Sequence, residues 1–184
     1  MSAHPISDLS PRDRILKTTF RLFHGQGYNA TGINQIIAEA DVSKASLYQH
    51  FRSKEELCVE FLNQRHDFWF AALHGFTDKA KTPKTKVAAA FKFLHDMNTR
   101  ENFRGCAFLN IVSEITEEAV SVRHVIQRHK EDLRVFFQDI LRADYPTLPD
   151  HIYLLFESAL VESQVFRDPW PVDRANTIAA RLFA

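Results

Sequence analysis

The sequence predicts an all-α protein: a three-helix N-terminal domain with a helix-turn-helix, then a larger C-terminal helical domain, about nine helices in all. Three observations lead to the helical class. Apolar residues recur at helical spacing, and no segment sustains a period-2 alternation. Five Gly and seven Pro are few for a β protein built on tight turns. Capping and breaker residues punctuate the chain at intervals that suit helices.

The first ten residues are polar and read as mobile. Ser10-Pro11-Arg12-Asp13 opens the first helix: Ser10 caps, Pro11 suits the first position, and Asp13 complements the positive helix end. Ile15, Thr19, Leu22 and Phe23 share one face, and Gly25 and Gly27 end it. Thr31 is the expected cap of a short second helix striped by Ile33, Ile36, Ile37 and Ala40. Ser43 caps a third, with Leu47 and Phe51 inward. Ser53-Lys54-Glu55-Glu56 is a capping box opening a long helix that reaches about His74. Beyond a polar loop at 77–85, helices are expected over 84–99, 106–117, 119–143, 149–167 and 172–183, separated by an irregular 100–105, Tyr145-Pro146 and Pro169-Trp170-Pro171. The domain boundary is placed between 56 and 57, giving 1–56 and 57–184.

Composition narrows the function classes. Basic and acidic residues balance at 23 each, so no whole-molecule field draws the chain to nucleic acid, and a basic face must be local. Two cysteines, Cys58 and Cys106, lack a pairing pattern, which suits a reducing cytoplasm. No signal peptide or membrane-spanning run is legible. Enzyme signatures are absent: no Gly-x-Ser-x-Gly, P-loop, dinucleotide fingerprint or His-Glu-x-x-His occurs. No Glu is followed at i+3 by His, as a di-iron helical bundle would need, so the expectation is a non-enzyme with no metal and no cofactor.

Function concentrates on the third helix. Successive residues turn by about 100°, so with Leu47 and Phe51 inward, Ala45, Ser46 and Gln49 point outward, flanked by Tyr48 and His50. Gln pairs bidentately with adenine, Ser takes either role, and Ala permits close approach or meets a thymine methyl. Lys44, His50, Arg52 and Lys54 lie on this stretch and no carboxylate occurs from Ser43 to Lys54, which suits phosphate contacts. Alone, Tyr48 also reads as a partly buried core aromatic, and a helix-turn-helix also serves as plain packing.

The segment GYNATGINQIIAEADVSKASLYQHFRSKEEL, residues 27–57, resembles the DNA-binding domain of TetR-family repressors. The aromatic-x-x-Thr entry, Ile-Ile-x-x-Ala, Val-Ser-Lys, Leu-Tyr-x-His-Phe and Ser-Lys-Glu-Glu-Leu occur in order. The resemblance puts Thr31, Tyr48 and Lys54 on phosphates. It puts Lys44, Ala45, Ser46, Gln49 and His50 at or near the groove, with Ser43 opening that surface. Asp41 stands where the family usually has glycine, and Asp tolerates a left-handed turn better than most residues. The resemblance also implies double-stranded operator DNA as partner, a homodimer built on the last two helices, and a small-molecule inducer bound in the C-terminal domain.

Thirteen of sixteen Phe and both Trp follow Glu56, so the body either lines an apolar or aromatic ligand pocket or packs as core. Phe68, Trp69, Phe91, Phe108 and Phe156 are the pocket candidates, with His95 or His66 as polar contacts. Leu154, Leu155, Ala159, Leu160, Val165 and Phe166 are candidates for the dimer face. Cys106 follows Gly105 at an expected helix start, where a thiolate is favoured, making it a redox candidate or else a small buried hydrophobe. Some family members resemble this Gly-Cys arrangement and sense oxidants or electrophiles there. Two rival readings are a helical small-molecule-binding protein without DNA function and an all-α enzyme.

Overall fold

The computed structural model describes residues 9–183 and holds nine helices among them: α1 (Pro11–Gly25), α2 (Ile33–Glu39), α3 (Lys44–His50), α4 (Lys54–Thr77), α5 (Pro83–Arg100), α6 (Ala107–Val112), α7 (Val120–Leu141), α8 (Pro149–Phe166) and α9 (Trp170–Arg181). No strand occurs among the described residues. The expected mobility of the first ten residues falls, up to residue 8, outside that range. The chain forms two compact units: Met1–Arg65 with Asn110–Ile126, and His66–Leu109 with Gln127–Ala184.

In the first unit α1, α2 and α3 pack on one another. Ile15, Leu16, Leu22, Phe23, Ile36, Ala40, Leu47, Phe51 and Phe61 are buried. Phe20 and Phe23 meet Phe61 edge-on, at 5.2 and 5.8 Å between ring centroids. Local chemistry sets the helix starts. The Ser10 hydroxyl accepts the Asp13 N–H at 3.2 Å with Pro11 at the first position. The Ser53 hydroxyl accepts the Glu56 N–H at 3.0 Å, while the Glu56 carboxylate reaches back one residue further than a capping box requires, to the Arg52 N–H at 2.6 Å. Thr31 is not the cap of α2. Gly32 holds that position without a side-chain bond, and the Thr31 hydroxyl turns inward to donate to the Gly27 carbonyl at 2.7 Å.

In the second unit α8 packs along α9, and α5 lies against both. Thr82 and Thr85 form a reciprocal capping box that starts α5 at Pro83. The core is aromatic. Trp69 meets Phe93 at 4.9 Å and Phe156 at 6.2 Å, and Phe91 and Phe137 each lie 5.5 Å from Phe156. Buried His129 stacks flat on Phe108 at 3.6 Å, with its Nδ1 3.2 Å from Nδ1 of His66. One of the two Nδ1 atoms must carry the shared proton. Burial, opposed by Asp132, holds His66 below the usual histidine value.

Two elements differ from expectation in extent. The helix expected over 106–117 is only Ala107–Val112, because turns closed by Glu114 N–H and Ile115 N–H on the Ile111 carbonyl end it. The fourth helix runs to Thr77, whose hydroxyl bonds back to the Leu73 carbonyl at 3.1 Å inside the last turn.

Leu47 is fully buried, so Leu47→Ala is expected to cost about 2–5 kcal/mol in urea unfolding. Burial pushes the Cys58 thiol up from 9.0 to about 12. The unfolded chain therefore ionises first as pH rises. The stability this thiol contributes is whole below pH 9 and is lost between pH 9 and about 12. Urea midpoints taken stepwise above pH 8 are expected to fall more steeply for the natural chain than for Cys58→Ala.

Candidate nucleic-acid interface

The reading helix is anchored from behind. Leu47 and Phe51 are 0% and 3% exposed, which fixes the rotation of α3 about its axis. The Ser43 hydroxyl accepts the Ser46 N–H at 3.0 Å and closes the first turn. The opposite side is open: Ser43, Lys44, Ala45, Tyr48, Gln49 and His50 are exposed, and Ser46 is half-buried. The turn into α3 depends on Asp41, whose φ of 52° lies in the left-handed region that glycine would occupy freely. Its carboxylate sits 3.8 Å from the Arg14 guanidinium, on the solvent side.

Positive charge frames this surface, and the stretch from Ser43 to Lys54 has no carboxylate of its own. Lys44 and Arg52 are exposed, and the Lys54 ammonium lies 4.2 Å over the Tyr28 ring. Burial draws Lys54 below the usual lysine value, and the negative charge of Glu114 is among the groups opposing this. Thr31 does not join the surface through its side chain. It is 0% exposed and braces the turn before α2, its hydroxyl also accepting from Gln26 Nε2 at 3.1 Å. A phosphate contact at this end of α2 would fall to backbone amides.

The residues expected to line a ligand pocket separate into two groups. Trp69, Phe91, Phe108 and Phe156 are buried in the second unit. Phe68 is 53% exposed, and His95 is turned toward Asp173, its Nε2 3.9 Å from the carboxylate, so these two lie off the aromatic cluster. His66 joins the cluster instead, through His129 and through Phe70 at 4.6 Å. Cys106 is buried immediately before α6, with the Lys130 ammonium 3.6 Å from its sulfur. Lys130 is also paired with Glu157 at 2.6 Å. Burial would lower the Lys130 value, but Cys106 and Glu157 outweigh it and hold the ammonium above the usual range. Sequence reading found Cys106 but neither Lys130 nor Glu157, which lie 24 and 51 positions further along the chain and share no motif with it. Among the described residues, no group of three or more His, Cys, Asp or Glu is placed to hold a metal ion.

The family model for bacterial regulatory proteins of the tetR family matches residues 15–61, the stretch that builds this surface. Residues 15–61 thus carry the DNA-binding domain of the TetR family. LmrA, a transcriptional regulator of Bacillus subtilis, is 28% identical over 133 residues, 71% of each chain. IcaR of Staphylococcus epidermidis is 23% identical over 159 residues, covering 86% of this chain and 81% of IcaR. The chain spans only 26–64% of the length of three further curated relatives. A TetR-family regulator of Streptomyces coelicolor superimposes with a TM-score of 0.82 at 27% identity, covering 93% of this chain and 92% of the other. The chain thus shares over nearly its whole length the fold of a TetR-family transcriptional regulator.

Lys54→Ala is expected to weaken binding to every duplex and to flatten the dependence of log K on log salt by about one unit for each phosphate no longer neutralised. Gln49→Ala is expected to relax preference at one base position, worth about 1–3 kcal/mol, with little change in that slope. Titrations at four salt concentrations against operator and scrambled DNA separate the two.

Proposed function

We propose that this protein is a repressor that binds two-fold operator DNA as a homodimer and is released by a small apolar or aromatic ligand. The observation that carries the reading is the outward side of α3, where Lys44, Ala45, Tyr48, Gln49 and His50 are exposed. Phosphate contacts from the cationic rim set register and affinity, and Ala45, Ser46 and Gln49 supply sequence discrimination. IcaR is a negative transcriptional regulator of a biofilm operon, which supports repression as the sign of control. Work on chromosomal operators fits a cytoplasmic site, and no described helix is long and apolar enough to cross a membrane.

One short helix reads few bases, so two copies are needed for specificity, their α3 helices roughly 34 Å, or a multiple of it, apart. The dimer face is assigned to the last two helices. On α8, Leu154, Val161 and Val165 form an exposed stripe at seven- and four-residue spacing. Trp170, Ile178 and Leu182 continue it at spacings of eight and four along α9 and its C-cap. Phe166 lies beside Trp170 at 5.4 Å and is exposed with it. Ala159 and Leu160, candidates from sequence, are 3% and 6% exposed within the single chain and belong to its own core. Ligand capture is assigned to the second unit, on the aromatic cluster of Trp69, Phe91, Phe108 and Phe156.

Selection of duplexes from a random pool with the purified protein tests the reading. It is expected to enrich a two-fold sequence bound by two chains. Val165→Glu is expected to shift the protein toward monomer in light scattering and to weaken operator binding more than tenfold. No enriched sequence, or a strict monomer, overturns it.

A further inference from the structure

The first compact unit includes a segment far from it in sequence, Asn110–Ile126. Glu114 lies in the turns after α6 and grips the turn between α1 and α2 twice. Its carboxylate accepts the Asn29 backbone N–H at 2.5 Å, and its own carbonyl accepts Asn29 Nδ2 at 2.8 Å. Gly27 makes room for this. Its φ is 106°, and a Cβ there would lie 2.9 Å from a Glu114 carboxylate oxygen. The turn carries Tyr28, the ring on which Lys54 rests, and ends at Thr31, whose hydroxyl ties it back to Gly27. A second contact, between the Ser121 hydroxyl and the Glu55 carboxylate, joins the same segment to the start of α4.

We propose that Glu114 is a positioning residue for operator binding: by holding Asn29 it sets the turn and the Tyr28 ring that aim Lys54 at the DNA backbone. The inference rests on the DNA-binding reading above and names a control residue of that same surface. It opposes what charge alone would do. Removing an anion near Lys54 raises the affinity of a protein for any polyanion. Removing a group that positions a phosphate contact instead lowers affinity for operator and unrelated DNA alike. The negative charge of Glu114 also acts against the burial of the Lys54 ammonium, so the two groups lie within electrostatic reach of each other.

The test is titration of the full-length protein with its selected operator and with a scrambled duplex at one stated salt concentration. Glu114→Ala is expected to weaken binding to the operator about tenfold and to the scrambled duplex as well, as Lys54→Ala does, with its urea midpoint unchanged from the natural chain. Glu114→Gln, which keeps an acceptor for the Asn29 N–H, is expected to restore most of that affinity. In a Lys54→Ala background, Glu114→Ala is expected to cost less than threefold, because the two residues act through the same phosphate. Operator binding by Glu114→Ala that equals or exceeds the natural chain overturns the proposal, as does full additivity with Lys54→Ala. A urea midpoint for Glu114→Ala well below that of the natural chain also overturns it, since the weakened binding then marks a damaged fold. A natural chain that binds no duplex would instead sink the DNA-binding reading itself.

Discussion

The burial of Leu47 and Phe51 against α1 and α2 is the constraint on which the reading surface depends. A helix of seven residues has little stability of its own, since its nucleation cost is spread over few hydrogen bonds. Two large side chains four positions apart fix its rotation, and everything on the opposite side is then displayed by default. The exposure of Lys44, Ala45, Gln49 and His50 is thus a consequence of core packing. The Ser43 cap adds to this by satisfying an amide that would otherwise be left open at the start of so short a helix.

Charge is used locally. The chain carries equal numbers of basic and acidic residues, yet the stretch from Ser43 to Lys54 has no carboxylate. Three acids near it make other contacts. Glu56 accepts the Arg52 amide, Glu55 meets Ser121, and Glu114 holds Asn29. A protein so balanced relies on placement, because phosphate recognition falls off within a Debye length of roughly 8–10 Å.

The second unit shows a different economy. Its aromatic rings meet mostly edge to face, and a histidine rather than another phenylalanine stacks flat on Phe108. That choice brings a polar atom into the cluster, and His66 satisfies it at 3.2 Å. Lys130 and Glu157 likewise bring a paired charge beside Cys106. A buried charge is tolerated only when paired, so these groups mark places where the body departs from a plain hydrophobic core.

Local features are legible in the order of residues: the helical class, most helix starts, and the inward pair on α3 with its outward side. These follow from spacing and capping within a few residues, where side chain and backbone chemistry are decided by neighbours in the chain. Features that depend on distant partners came from the packed fold. It turned the Thr31 hydroxyl inward and shortened α6. It left Phe68 and His95 off the aromatic cluster, buried Ala159 and Leu160, and joined Glu114 to Asn29 across 85 positions. Such pairings leave no periodic trace, because a hydrogen bond or ring contact between remote segments requires no repeat in either of them.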